Sequence, residues 1–349
     1  MRRLASPARY GFNFQLTPPQ SVFARNFLPL LFFPLIAGAG TLKVGPAEAF
    51  VTIQAAIDAA NPGDVIEVAP GLYAENLTVG KSPLTLSGAR AGAAARGRVP
   101  GVPDPLTESV VAPAAGPALV LSSAAGTITV DGFSFEAPAA APGGVVMVDA
   151  ADAPGLALAN NHVRVTGGAA GAALWMNRSA EDATLSGNVF VASAASVQAV
   201  FLDGVDSFDG LHFTGNDVLR TGGLAGTGFF VDGVANLGPS PARPPRISGN
   251  RFAGHALGFN GGSRSLKDAE ISFNLFENNS GGMAAGPADC LLKNNRWAGN
   301  TTYGLRLTGF GNTVDPARGA RGNRIEDNEF ENNGTVPAPA GSGDLRYDD

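Results

Sequence analysis

One short pattern recurs down the chain and restricts its fold more than any other feature. The pattern is an apolar residue, two small or polar ones, an Asn, any residue, then a bulky apolar one. It appears as LANNHV around Asn161, LSGNVF around Asn188, FTGNDV around Asn216, ISGNRF around Asn250, ISFNLF around Asn274, LKNNRW around Asn295 and IEDNEF around Asn328. VDGFSF around Phe133 is an earlier copy with Phe in place of Asn. The period is roughly 28 residues, with loops of variable length between copies. A unit of that size made of short strands cannot bury its own apolar residues, but stacking units at about 4.8 Å joins them into continuous parallel sheets. Asn suits a fixed turn in each coil because it tolerates the left-handed conformation and its amide can bond the equivalent Asn above and below. The Asn column therefore reads as a structural ladder.

Composition agrees with short strands and excludes other classes. Of 349 residues, 47 are Gly and 25 are Pro, which argues against long helices because each interrupts a helix interior. With 44% hydrophobic residues and a net charge of only -6, the chain is not a disordered polyelectrolyte. Its 24 basic residues form no dense run, so a nucleic-acid partner is not expected. One amphipathic helix is predicted over Thr52 to Ala60, where Ile53, Ala56, Ile57 and Ala60 follow helical spacing, with Thr52 as N-cap and Asn-Pro-Gly-Asp as the stop. It would cover the open end of the stack, where an exposed strand edge invites aggregation.

The segment TIQAAIDAANPGDVIEVAPGLYAENLTV and the Asn-containing coils resemble the pectin-lyase-like right-handed parallel β-helix repeat proteins, over about residues 41 to 333. The resemblance implies an all-β fold, a single-stranded right-handed parallel β-helix with a short N-terminal capping helix. It does not select an activity, because the superfamily holds lyases, hydrolases, esterases, epimerases and proteins without known chemistry.

Residues Phe27 to Ala37, FLPLLFFPLIA, follow Arg25 and precede Gly38, Ala39 and Gly40, the layout of a secretory signal. The run is too short and too interrupted by proline to span a membrane. We expect residues 1–39 to be the signal peptide, 40–333 the β-helix and 334–349 a flexible tail of linker composition. The stretch ahead of Arg25 is long for such a signal, so the working start is expected downstream of Met1. A second A-x-A site, Ala47 to Ala49, would remove an apparent strand at Thr41 to Val44 and ranks lower. The product is expected to be secreted, extracellular or periplasmic, and monomeric. Cys290 is the one cysteine, so no intramolecular disulfide forms, and it reads as core. His162, His212 and His255 lack ligand spacing and read as surface or turn residues.

A second column lies upstream of the Asn positions. The segments VVMVD, ALWMN, VFLD, FFVD and LGFN end at Asp149, Asn177, Asp203, Asp232 and Asn260, about one coil apart. If these polar ends face outward, alternation sends Val148, Met176, Leu202, Val231 and Phe259 inward and Met147, Trp175, Phe201, Phe230 and Gly258 outward. The result is an outward strip of Trp175, Phe201 and Phe230 beside Asn177, Asp203 and Asp232. Such a strip suits a sugar, whose C–H faces stack on rings while its hydroxyls need donors and acceptors. Alternatively, a long loop, Gly88 to Pro117 or Val234 to Pro245, packs over the rings and makes them a satellite core.

Asp203 and Asp232 are candidate catalytic acids. On neighbouring coils their carboxyl groups would stand about 5 Å apart, near the spacing of retaining glycosidases. Asp149, Trp175, Asn177, Phe201, Phe230 and Asn260 are candidate substrate-binding residues. No cofactor is expected; calcium on Asp203, Asp206, Asp209 and Asp232 is the metal alternative, with Asp206 and Asp209 read first as turn residues. A lyase would also need a base such as Arg, and Arg306 lies about three coils from Asp232. The family's polygalacturonase motifs Asn-Thr-Asp, Gly-His-Gly and Arg-Ile-Lys are absent, since His255 sits in Gly-His-Ala and Glu326 follows Arg324-Ile325. The pectin methylesterase signatures Gln-Asp-Thr-Leu and Leu-Gly-Arg-Pro-Trp are missing too, although GFFVDG around Asp232 is similar to an acid-bearing strand of those enzymes. Two functions follow as expectations: an exported glycan-binding or surface scaffold protein whose partner is a polysaccharide or cell-surface glycan, or a hydrolase or lyase of pectin-like polysaccharide using Asp203 and Asp232.

Overall fold

A computed structural model describes residues 38–96, 98, 103–122, 127–140, 143–150, 155–179, 181–207, 209–232, 243–261, 267–307, 322–334 and 345–347. The expected signal segment lies outside them up to residue 37. Among the described residues no helix is long and apolar enough to cross a membrane.

Each coil contributes one strand to each of three sheets, here called A, B and C in the order the chain visits them. Sheet A has eleven strands, from Thr41–Val44 to Arg324–Glu326. Sheet B has ten, from Gly71–Tyr73 to Glu329–Glu331. Sheet C also has ten, starting at Leu77–Val79. Except for the last pair of sheet C, neighbouring strands are parallel and come from successive coils, so Leu158 pairs with Leu185 and Leu185 with Phe213. The strand Thr41–Val44 belongs to this stack through Val65–Val68, so cleavage after Ala49 would strip the first strand from sheet A.

Alternation points one side of every strand inward. Column upon column of Ile, Val, Leu and Phe fills the interior as a single cluster from Val44 to Leu307. The filling changes along the axis. In sheet B, earlier coils alternate Val and Phe, as at Val163, Phe190 and Val218, whereas later coils stack rings without interruption: Phe252 on Phe276 at 4.9 Å, Phe276 on Trp297 at 5.3 Å and Trp297 on Phe330 at 4.8 Å, all within 8° of parallel. Cys290 lies in this core, and burial pushes its thiol up to about 12.

The Asn column is a buried ladder at the corner between sheets A and B. The main-chain N–H and the side-chain amide of Asn216 both donate to Asn250 Oδ1, at 2.9 and 3.1 Å, and Asn250 repeats the arrangement on Asn274 at 3.0 and 2.9 Å. Each amide also donates to a sheet A carbonyl, as Asn250 does to Phe213 O at 2.8 Å. Phe133 occupies the first rung, its N–H donating to Asn161 Oδ1. The expected left-handed residue is not the ladder Asn but the one before it: Asn160, Gly187, Gly215, Gly249, Phe273, Asn294 and Asp327 have φ between 53° and 68°. An inward-pointing amide needs the Asn itself to keep a negative φ, so its predecessor makes the turn.

A second ladder, unforeseen from the sequence, runs along the corner between sheets B and C. Asn279, Asn300 and Asn333 repeat the same bonds, with Asn279 donating to Phe252 O and Asn300 Oδ1 at 2.9 and 3.1 Å. His255 begins this column. Its N–H donates to Asn279 Oδ1, and its Nε2 lies 3.1 Å from Val218 O, the carbonyl equivalent to Phe252 O one coil later. That carbonyl accepts, so Nε2 carries the proton and Nδ1 is left to accept from Arg220 Nε at 3.3 Å. His255 is therefore an interior residue, His162 is buried as well, both contrary to the surface reading, and His212 alone of the three is exposed.

The helix spans Ile53–Ala59 and covers the first coil with Ile53, Ala56 and Ile57. Thr52 holds the N-cap position but makes no side-chain cap bond; the Glu75 carboxylate accepts the N–H groups of Ile53 and Gln54 instead, at 2.9 and 3.0 Å. Lys81 closes the other end on the carbonyls of Ile57, Asp58 and Ala60. At the far end of sheet C, Leu345–Tyr347 pairs antiparallel with Tyr303–Leu307, so this part of the expected flexible tail covers a strand edge. An edge strand left with unpaired N–H and C=O groups is costly, which accounts for the pairing.

Candidate functional site

The longest strands of the molecule gather in the middle of sheet C. Gly144–Ala150, Ala172–Ser179, Gln198–Ser207 and Ala225–Asp232 have 7, 8, 10 and 8 residues, against three or four for the strands of sheet A. Their inward residues Val148, Met176, Leu202 and Val231 are buried, which sets the outward phase as expected.

Two outward columns result. One carries Met147, Trp175, Phe201 and Phe230 in direct register. The other carries Asp149, Asn177, Asp203 and Asp232. The side chains of Met147, Trp175, Phe201, Asn177 and Asp203 are partly exposed, and Asp149 is exposed. Trp175 Nε1 donates to Asp203 Oδ2 at 3.1 Å, tying the two columns together across one coil. Asn177 Nδ2 lies 3.4 Å from Asp149 Oδ1. Asp232 is placed by its backbone pairing with Asp203; its side chain lies outside the described residues.

The structure revises two details of this strip. Asn260 pairs with Phe230, not with Asp232, and Phe259 pairs with Phe229. Asn260 thus continues the aromatic column, which runs on through Ala284 to Arg306, and Gly258 is buried instead of outward. The spacing misled because the chain between Asp232 and Asn260 has a loop of a different length, and only the inward pairing of Phe229 with Phe259 fixes the phase. The second revision concerns the rings. Phe201 and Phe230 stack on each other at 5.3 Å and 9°, so their facing surfaces are occupied and the pair presents edges outward. Two open platforms for sugar rings, one per residue, are not available there.

Two loops are the candidate covers for these rings. The described first part of Gly88 to Pro117 runs along the corner between sheets A and B, where Ala95 N–H donates to Gly187 O at 2.9 Å and Arg96 pairs with Asp217 at 3.0 Å. Of the other loop, 233–242 lies outside the described residues. Of the acids considered for calcium, Asp206 and Asp232 have side chains outside the described residues. Asp209 accepts the N–H of Arg243 at 2.6 Å and pairs with its guanidinium, alongside Glu181 and Asp182. Among the described residues no three His, Cys, Asp or Glu side chains converge as a metal site.

Residues 198–343 match the family described as the right handed beta helix region. Two solved structures of pectin methylesterase from Aspergillus niger, one deglycosylated and one penultimately deglycosylated, are similar at 12% identity. Each alignment covers 87% of this chain and 92% of the other, with a TM-score of 0.33. No curated protein matches the sequence. With strand after strand paired in parallel to the next coil, the chain folds as a right-handed parallel β-helix, and residues 198–343 match the family of that description.

Proposed function

We propose that this is an exported glycan-binding or surface scaffold protein that holds an extended polysaccharide along the outward strip of sheet C. The observation that carries the reading is the coil-to-coil register of Trp175, Phe201 and Phe230 beside Asn177, Asp203 and Asp232. Hydroxyl-rich polymers repeat their donors and acceptors at short intervals, and a column of amide and carboxylate groups repeating at about 4.8 Å offers matching partners without closing a pocket. The Trp175 bond orients Asp203 so that one oxygen is held and the other is left for a ligand hydroxyl. The rings contribute apolar edges beside the polar row, and exposed apolar groups of this size in one column suit a contact surface.

The second reading, a polysaccharide hydrolase or lyase, is favoured by one observation, the direct pairing of Asp203 with Asp232 on adjacent coils. Incubating residues 40–349 with a polysaccharide panel, while following binding, reducing ends and unsaturated products, separates the two. Binding without product formation, weakened at least tenfold by Asp203→Asn combined with Asp232→Asn, is the expected outcome. Undiminished binding by the double variant rejects the strip as the site, and product formation lost in that variant establishes the enzyme.

A further inference from the structure

Residues 88–96, together with Arg98, form a strap on the outside of the coil stack. The strap follows the row of left-handed residues and donates to their carbonyls: Arg90 N–H to Gly132 O at 3.1 Å, Arg98 Nη2 to Asn160 O at 2.8 Å, Ala95 N–H to Gly187 O at 2.9 Å and Arg96 Nη1 to Gly249 O at 3.0 Å. A Cβ on Gly132 would collide with the backbone of Arg90 and Ala91, so the strap rests directly on that turn. Ala95 seals a small apolar cluster of Val189, Val191 and Leu219 on the outer face of sheet B.

Beneath the strap lies His162, 2% exposed, with no hydrogen-bond partner for its buried Nε2. Its surroundings are charged and balanced. From the strap side come Arg98, with Arg90 near it, and Glu108, 3.8 Å from Arg98 Nη1. The preceding strand of sheet B supplies Glu136 and Ser134, whose hydroxyl donates to Glu108 at 2.5 Å. Arg164, on the same strand as His162, is held by Glu136 at 2.5 Å. Asp131 accepts from Gly92 of the strap and from Asn160. On the next coil the register partner is Val189, which is apolar. Three guanidiniums thus stand among three carboxylates, and a proton on His162 would add a positive charge with no acceptor.

We propose that the strap is an acid-released latch, with His162 as the group that takes up the proton and Arg98 as the group it expels. Opening would uncover the row of turn carbonyls and the apolar cluster under Ala95, a surface hidden at neutral pH. Burial, then Arg164 and Arg98, pushes the closed-state imidazole down to about 4. Once hydrated in the open state, it returns toward its ordinary value of 6.5. The open state therefore binds the proton more tightly, and opening is favoured progressively as pH falls below 6.5 until the closed-state value is passed.

Hydrogen exchange of the strap amides, corrected for intrinsic rates and compared with sheet B amides such as Val163, tests this. The opening constant is expected to rise on the order of a hundredfold between pH 7 and pH 4. His162→Gln should remove most of that rise. Asp217 is the control: it holds Arg96, but burial raises its pKa, so acid acting on it alone would favour the closed strap; Asp217→Asn should loosen the strap at every pH and leave the rise in place. Should His162→Gln not fold, Arg98→Gln serves, with the strap open already at pH 7 and the pH dependence collapsed. A wild-type strap equally protected at both pH values overturns the latch, as does a full rise in His162→Gln or Arg98→Gln, or a rise lost only in Asp217→Asn.

Discussion

The corner between sheets A and B and the outer face of sheet C are built by the same translation from coil to coil, with opposite results. At the corner, each Asn spends its carbonyl oxygen and its amide on the coils on either side and on a main-chain carbonyl, and the column from Asn161 to Asn295 is buried. On sheet C, Asn177, Asp203 and the rings repeat at the same interval while facing water, and the described side chains satisfy one another only in part. Repetition alone therefore does not identify function. A repeated polar column that closes its own hydrogen bonds holds the fold together, and one that leaves acceptors open toward solvent is available to a ligand.

Substitutions on the two surfaces should separate accordingly. Phe276→Ala removes a ring from the stack between Phe252 and Trp297 and should cost about 3–5 kcal/mol in urea unfolding. Asn250→Leu leaves Asn216 N–H and Phe213 O without partners in the interior and should cost about 2–4 kcal/mol, without any specific effect on glycan binding. A stable Asn250→Leu protein would mean that the ladder is dispensable and would dissolve the contrast.

His255 sharpens the comparison from within a ladder. Burial pushes its imidazole down to about 3, so the folded state binds fewer protons than the unfolded chain. This contribution is fully present above about pH 6.5 and is lost as pH falls toward the folded value, at up to about 1.4 kcal/mol per pH unit. His255→Asn, which installs the side chain used at the same corner by Asn279 and Asn300, should keep neutral-pH stability within about 1 kcal/mol and flatten the acid slope between pH 6 and 4. An unchanged slope would show that His255 titrates without strain.

The smallest stability effect belongs to the strip. Phe201→Ala should cost about 1 kcal/mol, since its ring is partly exposed and stacks on one neighbour. Trp175→Phe keeps an aromatic ring but removes the N–H donor to Asp203, and should weaken glycan binding several-fold while thermal stability stays within about 0.5 kcal/mol of wild type. A strip substitution as damaging to folding as Phe276→Ala would make the outer rings a satellite core.

Much of the architecture was legible in the repeat, because each copy carries its own instructions: the turn residue, the ladder Asn and the inward apolar residue stand at fixed offsets. Phe133 could be recognised as a rung even without an amide. The second ladder was hidden for a simple reason. Asn279, Asn300 and Asn333 each follow a first-ladder Asn by five residues and were absorbed into the loops, although the shared spacing NLFENN, NRWAGN and NEFENN carried the signal. Of the strip, Trp175, Phe201, Asn177 and Asp203 fall where alternation put them, whereas Asn260 does not.

The sequence by itself determined the coil, the stacking direction of its apolar residues and the outward phase of the strip, since these depend on hydrogen-bonding and side-chain periods repeated within every unit. Only the tertiary structure decided that Asn260 extends the aromatic column, that Glu75 in place of Thr52 closes the helix, and that the arginine-bearing strap lies over His162. Those outcomes depend on loop lengths and on contacts between residues far apart in the chain, such as Arg96 with Gly249, for which no local spacing carries a signal.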